Sequence, residues 1–399
     1  MKKKFLSFML ALCFIIPSIV LFAGCKEGHK HSYGDWQMDA VNHWKVCECG
    51  KKSELGEHDY EGEVCSVCDA QKPKNLAYTY ADWQENSWAV SGFGDYEEGV
   101  VIIPETYQGL PVVKINYEAF ATEYSNTDIY TKIVIPSSVK EIGRNAFSYR
   151  CCDIEFVNPT ITEISDNAFE NYMGTNLTIP STVQTIGQYA FYNNGRMTSF
   201  TIPASVTSIG ICSFAQCMSL ETVTFADGTA IEELPDSLFT GCESLEAFEV
   251  PASVKRLTSR NDYYLNDYNG TFRDVTGVIT FEEGSLLEHI GKYYFLGFAG
   301  TVILPTNYTV INEGAFYATK GAKIVVHAGV TEVDGVGLSA YDGNIHNYPA
   351  PSVFYMGTLT QWEAVTKKTT SLGHAIGDNT VVYYSSEWSF NNGIPVVNS

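Results

Sequence analysis

The chain has 399 residues, 45% of them hydrophobic, and its 25 Lys and Arg stand against 46 Asp and Glu for a formal charge of -21. That apolar content is enough to bury a core, which excludes a disordered tail or a peptide hormone. The acidic balance repels phosphate backbones and anionic lipid headgroups, and no basic block interrupts it after the first four residues, so nucleic acid is excluded as a partner.

Lys2, Lys3 and Lys4 precede an apolar run from Phe5 to Ala23, which closes as LFAGC with Cys25 last. This pattern predicts an export signal over 1–24. The small residues Ala23 and Gly24 let a peptidase approach the backbone, and the Cys25 thiol is left to carry a lipid. The segment resembles a bacterial lipobox, which implies a lipoprotein held on the outer face of the cell membrane through its N-terminal lipid only. An uncleaved anchor is the alternative, since about 20 apolar residues span a bilayer. Both readings put the bulk of the chain outside the cell membrane. Cleavage before Cys25 removes three lysines and no acid, so the mature chain carries 22 positive and 46 negative charges, a net of -24.

A Cys-rich module and linker are expected over 25–75. Cys47 and Cys49 form C-x-C, fifteen residues follow, and Cys65 with Cys68 forms C-x-x-C. This is close to the paired-knuckle spacing of a zinc ribbon, with four thiolates around Zn²⁺. The first knuckle is one residue short, and His43 and His58 are available as replacement ligands. Four protein ligands leave no open position, so such a zinc is structural. Two disulfides are the alternative in an exported protein. A segment this short has too little core to fold unaided, and either staple supplies the remedy.

From about Leu76 one phrase keeps returning: IVIPSSVKEIGRNAF from Ile133, LTIPSTVQTIGQYAF from Leu177 and FTIPASVTSIGICSF from Phe200. Aligned on the closing aromatic, the copies end at Phe120, Phe147, Phe169, Phe191, Phe214, Phe239, Phe272, Phe295 and Phe316, with Leu338 in that place last. Most steps are 21 to 25 residues. That period, with one strand-like stretch per copy, predicts a leucine-rich-repeat solenoid, mainly β with short turns, in which each coil buries its apolar face against its neighbours. In the copy from Phe200, alternation points Phe200 and Ile202 inward, Pro203 ends the strand, Val206 and Ile209 form the returning edge, and Phe214 fills the coil. Gly143, Gly187 and Gly210 share one phase, where a turn of unusual φ is expected.

The phrase, with its I-P start and A-F end, resembles the BspA-type leucine-rich repeats of bacterial surface proteins. The resemblance covers about Val100 to Leu338, within an array assigned to 76–350. The VFYMGTLTQWEAV segment from Val353 and VVYYSS from Val381 look like segments that close such arrays, here over 351–399. What the family implies is cell-surface attachment and adhesion to an extracellular protein or polysaccharide, without a shared reaction; it does not name the ligand.

An insertion before Phe272 brings SRNDYYLNDYNG, and loops in solenoids emerge at one edge. Its Tyr263, Tyr264 and Tyr268 are candidates for stacking on sugars or a protein partner, against the plainer reading of a solvated loop. Cys217 and Cys242 lie three residues after Phe214 and Phe239, and Cys151 four after Phe147; all three are expected in the interior, with no His near them to activate a thiol.

Alternation also assigns an outward row: Val134, Glu155, Thr178, Thr201, Thr224, Glu249, Thr280, Ile303 and Val325. Its hydroxyls and methyls suit a flat binding face, with Thr178, Thr201 and Thr224 at its centre. Glu155 and Glu249 are four coils, or roughly 19 Å, apart. Paired hydrolytic carboxylates need about 5 to 9.5 Å. Asp153 and Glu155 share one strand face, and an ion pair between Asp153 and Lys132 is the expected use of that site. No nucleophile elbow, zinc-protease helix or phosphate-binding glycine loop occurs, and the histidines are scattered. The sequence therefore reads as a non-enzymatic surface protein. A passive scaffold and, further off, a polysaccharide-acting enzyme with chemistry near Trp362 or Trp388 are the competing readings.

Overall fold

In the computed structural model the described residues are 76–398, apart from 82–85, 97, 123–129, 176, 260–269, 335–336, 339–348 and 369–379, together with the backbone of five short strands between 33 and 65. The chain divides into two compact units, Met1–Lys74 and Asn75–Ser399. In the first, Tyr33–Met38 pairs antiparallel with Asn42–Cys47, which also pairs with Gly56–Glu57. Tyr60–Glu61 pairs antiparallel with Val64–Cys65.

The second unit is a β-solenoid of about ten turns. An antiparallel hairpin, Ala77–Tyr80 with Trp88–Gly92, opens it. Later coils contribute to two parallel ladders, except that the coil at Leu177 has no strand in the long one. The long ladder contains Gly99–Ile102, Tyr130–Ile135 and Asp153–Phe156; past the coil at Leu177 it resumes with Ser199–Ile202 and continues through Thr222–Phe225, Ala247–Val250, Val278–Phe281, Thr301–Ile303, Lys323–Val326 and Ser352–Tyr355 to Val381–Tyr383. The short ladder is built of pairs such as Glu141–Ile142, Glu163–Ile164, Thr185–Ile186 and Ser208–Ile209. The segment from 351 onward thus adds strands to the long ladder rather than standing apart.

The repeating phrase has a local cause for each letter. The proline carbonyl accepts the N–H of the valine three residues on, at 3.1 Å for Pro180 and Val183 and 3.0 Å for Pro203 and Val206, which closes a β-turn. The hydroxyl between them reaches back one coil: Thr182 Oγ1 donates to the Ile161 carbonyl at 2.6 Å, Ser205 to Val183 at 2.6 Å and Ser253 to Ile231 at 2.7 Å. Stacking therefore satisfies backbone acceptors that the turn leaves open.

The closing aromatics form a continuous stack. From Phe120 to Phe316 successive ring centroids are 4.9 to 5.9 Å apart, with interplanar angles of 9° to 25°. All nine rings are fully buried, as is Leu338 in the next place. Offset stacking of this kind adds about 0.5 to 1.5 kcal/mol per pair beyond area burial. Phe200, Ile202, Val206 and Ile209 are buried as the alternation requires.

The glycine phase works differently from expectation. Gly143, Gly187 and Gly210 are absent from the positive-φ positions; instead a Cβ on Gly210 would lie 2.4 Å from the Gln188 nitrogen, and one on Gly187 2.5 Å from that of Asp166. They are glycines because the preceding coil's backbone runs against them. From Phe147 onward, left-handed residues fall two before and two after each stacked ring: Asn145 and Tyr149 around Phe147, Asn167 and Asn171 around Phe169, Tyr189 and Asn193 around Phe191, Cys212 and Gln216 around Phe214.

Candidate binding face

The outward side chains of the long ladder form one row across the coils. Glu155, Thr178, Thr201, Thr224 and Glu249 are exposed, and Val134, Thr280 and Ile303 half-buried. Strand pairing places Thr201 opposite Thr224, and their hydroxyls meet at 3.2 Å. The row thus sets Thr201 and Thr224 side by side, while Thr178, exposed in the coil where the ladder is interrupted, lines a groove with Glu155.

Two corrections apply. Lys132 does lie opposite Asp153, but its ammonium bonds Glu155 Oε2 at 2.8 Å, and that hydrogen bond raises the lysine pKa. Val325, expected outward and open, is 1% exposed. It is covered by an antiparallel hairpin, Trp388–Asn391 with Ile394–Val397, whose Trp388 packs edge-on against Phe354 with centroids 5.5 Å apart. Trp388 Nε1 donates to the Tyr355 carbonyl at 3.2 Å, and Lys323 Nζ to the Pro395 carbonyl at 3.2 Å. The face is therefore open from Glu155 to Thr280 and covered from Val325 onward, with Ile303 and Tyr383 packed at the rim of the cover. The sequence carried a signal for this hairpin that the repeat overshadowed: Asn392 and Gly393, both at positive φ, flanked by apolar residues.

Two shallow grooves lie where strands of this ladder end. One, of about 640 Å³, is lined by Lys132, Glu155, Phe156, Thr178 and Pro180 among others. The second, of about 530 Å³, is lined by Glu249, Thr280, Phe281, Glu283, Ile303 and their neighbours. Each sits between a phenylalanine that ends one strand and the I-P or L-P turn of the next coil.

Several carboxylates along the short ladder are paired with cations of a neighbouring coil. Lys255 Nζ meets Glu232 at 2.7 Å and Lys114 meets Glu141 at 2.6 Å, while Arg256 pairs with Glu233 and Lys368 with Glu332. Cys217 and Cys242 are fully buried, each donating to the carbonyl of a stacked phenylalanine, Phe191 at 3.2 Å and Phe214 at 3.1 Å. Burial, aided by the neighbouring Cys217, pushes the Cys242 thiol well up, which keeps it protonated. Cys151 departs from its expected interior place: it is half-buried, and Arg196 Nη1 donates to its sulfur at 3.2 Å, while Cys152 takes the buried position. His327, unplaced by spacing, is buried with Nε2 3.0 Å from the Tyr308 carbonyl and Nδ1 accepting the Gly329 N–H at 3.1 Å.

Cys25, Cys49, Cys68, Tyr263, Tyr264 and Tyr268 lie outside the described residues; Cys47 and Cys65 are described only as backbone at strand ends. Among the described residues no group of three or more His, Cys, Asp and Glu is placed to hold a metal ion, and no helix is long and apolar enough to cross a membrane.

The stacked coils define a leucine-rich-repeat solenoid. The profile of the BspA type leucine rich repeat region matches in six copies over residues 113–246, 184–267 and 268–341, spans that together cover more than half of the chain. The chain belongs to this family of bacterial surface-type proteins. Among solved structures it is similar to a leucine-rich repeat protein of T. pallidum (24% identity, TM-score 0.39, covering 56% of this chain and 86% of that one). It is also similar to one from Bacteroides ovatus (21%, TM-score 0.41, 78% and 98%) and to the pneumococcal vaccine antigen PcpA (14%, TM-score 0.35, 88% and 99%). No curated protein matches the chain.

Proposed function

We propose that this is a non-enzymatic cell-surface lipoprotein, anchored through Cys25, whose solenoid binds an extracellular protein or polysaccharide through the open stretch of the long ladder. The observation that carries this reading is the exposed row from Glu155 through Thr178, Thr201 and Thr224 to Glu249, on coils whose inward residues Ile154, Ile179, Phe200, Val223 and Phe248 are buried in the core. A rigid sheet presents such a row without an ordering cost on binding, which favours recognition over a purely spacing role. The Cys47, Cys49, Cys65 and Cys68 module, with structural zinc or disulfides, spaces the array from the membrane.

The test is a binding screen of the mature chain against matrix proteins and a polysaccharide panel, repeated with Thr201→Arg and Thr224→Arg together. A specific hit should weaken at least about tenfold in the double variant, the loss expected when bulk and charge enter the centre of an interface. A hit indifferent to both substitutions moves the site off the threonine row. Retained binding after deletion of 260–270 separates the ladder from the tyrosine-rich insertion.

A further inference from the structure

We infer that the partner of the long ladder is an extended, lysine- or arginine-bearing polypeptide segment, seated in the groove formed by Glu249, Thr280, Phe281, Glu283 and Ile303. This rests on the reading of the ladder as the binding face. Two separate observations carry it beyond that reading.

The first is charge. On the short ladder, Glu141, Glu232 and Glu233 are each met by a lysine or arginine from a neighbouring coil. In the first groove of the long ladder, Lys132 likewise meets Glu155. In the second groove Glu249 and Glu283 are exposed and take part in no ion pair among the described residues, and no basic side chain lines it. Around them, Phe281 and Ile303 are half-buried and supply an apolar floor. A ligand that fits must bring cations at the rim and an apolar group between them.

The second is the occupant already on this face. The hairpin of Trp388–Asn391 and Ile394–Val397 is an extended polypeptide lying on the same ladder, held by a backbone carbonyl, that of Pro395, and an apolar side chain, Trp388. Ile303 belongs to both places: it packs at the rim of the covered cluster and lines the open groove. The groove therefore adjoins a surface that already holds extended chain through a side-chain bond to one of its carbonyls, an indole bond to a ladder carbonyl and one inserted apolar group, which favours a polypeptide over a glycan. Alternation of side chains in an extended segment sends every second residue into the groove.

The experiment is fluorescence anisotropy of the full chain with a labelled peptide of alternating lysine and valine, against one of alternating glutamate and valine and a neutral glucan oligosaccharide. The lysine peptide should bind, more weakly at higher salt, and the glutamate peptide should not. Glu249→Gln with Glu283→Gln should weaken binding about three- to tenfold, and Thr280→Arg should weaken it as well by placing a like charge at the groove; Glu141→Gln, on the short ladder, should change nothing. Unaltered circular dichroism shows that the variants fold. Equal binding of the two peptides, no binding of either, or indifference to both groove variants overturns the inference. Binding of the glucan alone overturns the polypeptide assignment and leaves a binding face in place. Indifference to the groove variants and to Thr201→Arg and Thr224→Arg alike overturns the face itself.

Discussion

The phenylalanine stack and the outward row of the long ladder are drawn from the same coils and obey opposite rules. In the stack one ring recurs from Phe120 to Phe316, at a spacing that barely varies and with no exposed surface. In the row the side chain changes along the coils, from Glu155 through threonines to Glu249 and then to Ile303 and the covered Val325. The difference separates two tasks. Stability in a solenoid is a sum of nearly identical coil-to-coil terms, so the interior repeats. Recognition resides in what does not repeat.

That division is open to direct attack, and the largest effect is expected inside the stack. Phe191→Ala removes a ring packed between Phe169 at 5.6 Å and Phe214 at 5.2 Å, and should cost about 3 to 5 kcal/mol in denaturant-induced unfolding. A loss under about 1 kcal/mol, the usual size for a surface change, would place the stability elsewhere. Gly210→Ala should cost about 1 to 3 kcal/mol by the same measurement, because its methyl group meets the Gln188 and Gly187 backbone. A neutral result there would mean that the coils separate easily, against the rigidity the stack implies.

The smallest effect belongs to an exposed joint between coils. Glu105 accepts from the Ser137 hydroxyl at 2.8 Å and the Ser138 N–H at 2.8 Å. Partial burial pulls its pKa upward, but these hydrogen bonds outweigh it and hold the carboxyl below its usual range. A depressed folded-state pKa stabilises above the unfolded carboxylate value, near about 4.3, and that contribution is lost as pH falls through the folded one. The Tm difference between the chain and Glu105→Gln should therefore be larger at neutral pH than in acid. A gap that stays constant through acid would remove the carboxylate's part in the joint.

Much of this was legible from the chain itself. The ring phase, the inward set of Phe200, Ile202, Val206 and Ile209, and the outward threonines all follow from a period and an alternation. What escaped depended on contacts between distant residues or on backbone geometry. Asparagine marks some left-handed positions, Asn145, Asn167, Asn171 and Asn193, but Tyr149, Tyr189, Cys212 and Gln216 hold the same phase with nothing in their composition to show it. The glycines one turn away drew attention for the wrong reason, since close approach and positive φ leave the same letter in a sequence. Val325 reads as one more outward β-branched residue until Trp388, far along the chain, is folded onto it. Lys132 chose Glu155 over the directly opposed Asp153 because a long flexible ammonium reaches either, and register alone does not choose.

The step from Phe239 to Phe272 spans 33 residues, against 23 for the step from Phe191 to Phe214, yet the rings meet at 5.8 Å, within the range of every other pair. The step from coil to coil is thus nearly fixed, one ring-to-ring spacing of 4.9 to 5.9 Å, whatever the length of chain spent on that coil. Residues can be added at the edge without moving any later coil out of alignment. The array behaves as a ruler with fixed graduations, so chain length can change between Ser259 and Gly270 while the separation of its two ladder grooves stays the same.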